Sequence, residues 1–103
     1  MVRTMTMQTW TSHAAIELPA PARTLRRLCK HFSHKVSAQW QEITGEVDFG
    51  IGVCEFHAKA DSLRCLCRAE SETDLRAIEE TIERHLGPMS GLTDSLPMPH
   101  WQR

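Results

Sequence analysis

A chain of 103 residues, 41% hydrophobic and 24% charged, has the make-up of one globular domain rather than of a disordered or fibrous protein. Its formal net charge of -1 argues against a dedicated nucleic-acid binder, which is basic overall. No stretch approaches the roughly 20 apolar residues of a membrane helix, and Met1 to Gln8 lacks the apolar core of a secretory signal. The expected compartment is therefore the cytoplasm, where the four cysteines stay reduced. Residues 1–8 read as a flexible leader and residues 9–103 as a single domain.

From Gln8 to Leu18, the residues Trp10, Ser12, Ala14, Ile16 and Leu18 share one side, the period of a strand. Pro19 and Pro21 close it, and Pro21 suits the first turn of a helix. From Ala22 to His34, Leu25, Leu28, Cys29 and Phe32 follow the spacing of a core-facing helix. Val36 to Glu42 alternates again, with Val36, Ala38 and Trp40 together. A tight turn at Thr44-Gly45 is expected to lead into a strand over Glu46 to Phe49, placing Trp40 opposite Phe49 and Glu42 opposite Val47. Gly50-Ile51-Gly52 shifts the apolar phase, as a bulge or sharp bend does.

Val53 to Ala60 and Leu63 to Ala69 form the clearest hairpin, turning at Asp61-Ser62. Cys54, Phe56, Ala58 and Ala60 share a face with Leu63, Cys65, Cys67 and Ala69. The reverse face carries Glu55, His57, Lys59, Arg64, Leu66 and Arg68. In this register Glu55 meets Arg68 and Lys59 meets Arg64, one favourable pair and one unfavourable. Ser71 or Thr73 caps a second helix with the stripe Leu75, Ile78, Ile82 and Leu86, while Glu79, Glu80 and Glu83 face water. Gly87-Pro88 is a helix-ending pair. The tail from Leu92 to Arg103 contains Leu96, Met98 and Trp101, and Pro97 and Pro99 restrict it to an edge strand. Two helices with one apolar stripe each cover one face of an antiparallel sheet, an α+β two-layer sandwich.

The first helix carries the most distinctive surface. On a wheel of 100° per residue, Arg23, Arg27, Lys30 and His34 lie opposite Leu25, with Arg26 and His31 flanking. No acidic residue occurs between Leu18 and Gln41. Such a face suits a phosphate, a carboxylate or an acidic protein surface, although charge on an outer helix face is also the norm. Cys29-x-His31-x-x-His34 has metal-site residue types, but Cys29 points to the core. His31 and His34 alone make an incomplete site. A third ligand would come from His13, His57, His85 or a partner subunit. Cys54, Cys65 and Cys67 read as small buried hydrophobes.

Ser12-His13 and Ser33-His34 are sequence neighbours whose side chains diverge, so no catalytic set of nucleophile, base and orienting group is apparent. No motif specifies a cofactor. Gly50 and Gly52 precede no helix and do not form a nucleotide cradle. Trp10 and Trp40 alternate with other apolar residues and fit core or dimer-interface packing.

The run Leu28-Cys29-Lys30-His31-Phe32-x-His34-Lys35, followed by Gly45-x-Val47-Asp48-Phe49 and Gly52-x-Cys54, resembles a small bacterial family, domain of unknown function 2218. Thr9-x-x-Ser12-His13-Ala14 is similar too. The resemblance spans about Thr9 to Trp101 and implies a domain found alone or attached to siderophore-interacting flavin reductases. It carries over no catalytic residues. The expected function is a non-enzymatic accessory module, linked to iron or siderophore handling. Arg23, Arg27, Lys30, His31 and His34 would contact a ferric chelate or a reductase partner. The rivals are a homodimerisation domain using the free sheet face and a metal-dependent or redox protein using His31, His34 and a thiol. Convergence of His13 and His57 on His31 and His34 would favour the metal protein. A large apolar sheet face containing Trp10 or Trp40 would favour the dimer.

Overall fold

The computed structural model describes residues 9–90 and 99–103. The expected leader, and Leu92, Leu96, Pro97 and Met98 of the tail, lie outside the described residues. The elements run β1 (Trp10–Glu17), α1 (Pro21–Phe32), β2 (Ser37–Trp40), β3 (Thr44–Asp48), β4 (Gly52–Ala58), β5 (Ser62–Ala69) and α2 (Glu72–Ser90). The five strands form one antiparallel sheet in the order β1-β5-β4-β3-β2. Both helices pack on the same face, as the single apolar stripe on each requires.

Alternation decides which side of each strand is buried. Ser12, Ala14 and Ile16 of β1, Val47 of β3, Cys54, Phe56 and Ala58 of β4, and Leu63, Cys65, Cys67 and Ala69 of β5 lie under the helices. Leu25, Leu28, Cys29 and Phe32 of α1 meet them, as do Leu75, Ile78, Ile82 and Leu86 of α2. Removing a buried leucine, isoleucine or phenylalanine side chain from water contributes about 1.5–3 kcal/mol. This shared layer is therefore the principal source of stability. Two glycines let the helices approach: a Cβ at Gly45 would lie 2.7 Å from Cys29 Sγ, and one at Gly52 would lie 2.6 Å from Ile78 Cδ1.

Three turns depart from expectation. The β2–β3 turn closes with Gln41 N–H donating to the Thr44 carbonyl, so Glu42-Ile43 is the turn. Trp40 pairs with Gly45 rather than Phe49, and Ala38 rather than Glu42 pairs with Val47. Lys59 N–H donates to the Ser62 carbonyl, placing the β4–β5 turn at Ala60-Asp61. Glu55 then pairs with Leu66, and His57 with Arg64. A shift of two residues keeps every side chain on its expected face, and Arg68 still reaches Glu55 diagonally at 2.7 Å. At β3–β4, Gly50 takes φ +86° and Phe49 N–H donates to the Gly52 carbonyl. The phase shift is thus a two-residue hairpin turn with glycine at the left-handed position.

Helix α2 begins where Ser71 Oγ accepts the Asp74 N–H, and Glu72 and Asp74 in its first turn complement the helix dipole. It does not stop at Gly87-Pro88 but runs to Ser90. Leu86, Gly87 and Ser90 are buried, and that packing outweighs the intrahelical bond that Pro88 cannot make. Nor does Glu79 face water. The chain end returns over α2, where Arg103 Nη2 meets Glu79 at 3.1 Å and Trp101 Nε1 donates to Glu83 at 2.8 Å. Gln102 exchanges two backbone hydrogen bonds with His13. The edge strand expected from the tail is, among the described residues, this single antiparallel bridge on the outer edge of β1.

Candidate functional site

Two surfaces are left free by the core. The first is the outer side of α1. Arg23, Arg26, Arg27, Lys30 and His31 are exposed on the helix, and His34 and Lys35 are exposed on the turn that follows. The apolar residues recur every three or four positions, which forces the cations between them outward. The ion pairs among the described residues join Arg68 to Glu55 and Arg103 to Glu72 and Glu79; none involves α1. Among the described residues, these cations therefore have no ion-pair partner.

The second surface is the open sheet face. Pairing aligns its side chains in rows across the strands. His13, Leu66, Glu55, Glu46 and Gln39 form one row. Ala15, Arg64, His57 and Thr44 form the next. Together they line a shallow trough of about 800 Å³. His13, His57 and Arg64 lie toward one flank and Glu46 toward the other, while Glu55 is committed to Arg68. This face is mixed and charged rather than apolar. Trp10 and Trp40 lie on the other side, with Trp40 packed against the core.

The candidate metal ligands separate. His13 and His57 occupy the trough, with the sheet between them and α1. Cys29 is fully buried, and burial pushes its thiol up to about 12. Burial, then hydrogen bonding with Cys65 and Cys67, holds the Cys54 thiol well above its ordinary range. Cys67 and Cys54 sulfurs are 3.2 Å apart beneath the helices. The Cys29 and Cys54 thiols therefore stay protonated at neutral pH, the state in which a thiol is a poor nucleophile. Helix α1 ends at Phe32, so His34 stands on the turn rather than one helical turn beyond His31. The ring beside His31 is instead His85 of α2, with centroids 4.8 Å apart. Among the described residues no group of three His, Cys, Asp or Glu side chains is placed to hold a metal.

The serine–histidine neighbours also part. Ser12 is buried under α2 while His13 is on the open face, and Ser33 Oγ donates to the Lys30 carbonyl.

A five-stranded antiparallel sheet covered on one face by a cationic helix and an acidic one defines a small two-layer α+β sandwich. The match extends to sequence. The chain belongs to the DUF2218 family, described as uncharacterized proteins conserved in bacteria, whose family model covers residues 13–102. Among solved structures it is similar to PA4090 from Pseudomonas aeruginosa, determined by NMR. That similarity has a TM-score of 0.77 and 27% identity over 90% of this chain and 95% of that one. No curated protein matches the chain.

Proposed function

We propose that the chain is a non-enzymatic accessory module that binds an anionic ligand or an acidic partner surface through α1. The observation that carries this reading is the row Arg23, Arg27, Lys30, His31 and His34, exposed and unpaired by any carboxylate among the described residues. A cluster of one sign raises the local concentration of its counter-ion and speeds encounter. A ferric chelate or a flavin reductase is the ligand class that the family resemblance adds to this electrostatic argument.

The test is Arg27→Glu with Lys30→Glu, titrated with ferric citrate and a ferric tris-catecholate by fluorescence quenching. Wild type should bind at least one chelate, more weakly as salt rises. The double variant should lose tenfold or more while its circular dichroism stays unchanged. Equal affinity in wild type and variant, or no binding by wild type to either chelate or to a purified reductase, would sink the reading.

A further inference from the structure

We infer that His31 and His85 form a two-imidazole site for a borderline divalent transition metal, bridging the end of α1 to α2. Three observations converge on it. The ring centroids are 4.8 Å apart and the planes are tilted by 47°. A metal about 2.1 Å from a ring nitrogen lies about 3.2 Å from that ring's centroid. Two rings sharing it at about 90–110° then stand about 4.5–5.2 Å apart. The observed spacing falls inside that interval.

The second observation concerns the tautomer. His85 Nδ1 lies 2.7 Å from the Thr81 carbonyl oxygen. A carbonyl only accepts, so in the neutral ring Nδ1 carries the proton and Nε2 the lone pair. That is the outer-shell arrangement that orients a ligating imidazole and raises its basicity. The third is rigidity: Phe32 packs edge-on against both His85, at 4.9 Å, and Phe49, at 5.2 Å. His85 is thereby held before any ion arrives, while His31 stays exposed to admit one.

The chemistry narrows the ion. Magnesium and calcium require several oxygen ligands, and among the described residues no carboxylate joins the pair to make a ligand group of three. Arg27, one turn before His31, and Arg84, next to His85, disfavour ions held by charge alone. Imidazole nitrogen suits copper(II), nickel(II) and zinc(II). Two protein ligands leave the remaining positions to water or an added ligand, fewer protein ligands than the three of a catalytic zinc or the four of a structural one, so the ion is exchangeable. The site shares His31 with the proposed anion surface but does not depend on it, since His85 and Thr81 belong to α2.

The experiment is substoichiometric copper(II) added to the full chain while the six histidine ring signals are followed by proton NMR, with zinc(II) calorimetry alongside. Signals of His31 and His85 should broaden first and together. His31→Gln should weaken zinc binding at least tenfold and abolish the selective broadening of His85. His34→Gln should change neither. The variant His31→Gln is exposed and leaves the fold intact, so it remains decisive even if His85→Gln unfolds α2. Broadening of His85 that persists in His31→Gln, or broadening that is equal across all six rings, would overturn the site and reduce the contact to ring packing. Both readouts are indifferent to chelate binding, so failure here and failure of the anion reading are distinct results.

Discussion

Replacing Arg103 by alanine strips the ion-pair partner that the described residues give to Glu79, a carboxylate the fold has desolvated. Glu79 has 8% of its side chain exposed, and its Oε1 meets Arg103 Nη2 at 3.1 Å. Its Oε2 has no hydrogen-bond partner among the described residues. Removing one member of a fully buried pair costs about 3–5 kcal/mol because a charge is left unpaired. Arg103 is itself 37% exposed, so water partly replaces it, and the expected loss falls to about 1–2 kcal/mol. The second contact of Arg103, with Glu72 at 3.4 Å, is exposed and adds little. Urea melts at pH 7, fitted with a common slope, resolve a change of this size. Glu79→Leu in the Arg103→Ala background should recover most of the loss, because no buried charge remains to be satisfied. An Arg103→Ala variant within about 0.3 kcal/mol of wild type, unaffected by the second change, would show that the chain end does not desolvate Glu79.

Two more expectations follow from packing and burial. Gly52→Ala should cost about 2–3 kcal/mol, since its Cβ would collide with the Arg68 carbonyl oxygen, a backbone atom that cannot swing aside. Gly50→Ala has open space but φ +86° and should cost about 1 kcal/mol; thermal melts giving the reverse order would refute the assignment. Stability should also fall as pH rises from 9 toward 12. The Cys29 thiol ionises near 9.0 when unfolded but resists to about 12 when folded, so the unfolded chain holds fewer protons in that window. Cys29→Ala should show a shallower alkaline slope in urea melts, and parallel slopes would contradict the burial argument.

Faces were legible in the sequence and registers were not. The period of two assigns Cys54, Cys65 and Cys67 to the core and Arg64 and His57 to the open side whichever residues make the turn. A slip of two or four positions leaves that pattern intact, so only the turn hydrogen bonds fix the register. Gly45 invited a turn because glycine usually marks one. Its actual reason is the close approach of Cys29 from α1, a contact 16 positions away. Gly87-Pro88 misled in the same manner, since Leu86, Gly87 and Ser90 gain enough burial to carry α2 past it. The cationic side of α1 was readable because it depends on one helix alone. The His31–His85 contact was not, because it requires knowing how two helices 54 positions apart lie together. The burial of Glu79 likewise depends on where the last three residues return.

The paired backbones of His13 and Gln102 bring the two ends of the described fold to one corner. Neighbouring strands lie about 4.8 Å apart, and Arg103 runs alongside β1 toward Thr9, so a linker of about three to five residues would join them. The order of the elements is therefore separable from their arrangement. A chain cut in the exposed Glu42-Ile43 turn and rejoined at the old ends would trace the same sandwich from a new start. Placed within a surface loop of another protein, the domain would enter and leave through adjacent points, asking of its host little more than the span of an ordinary hairpin.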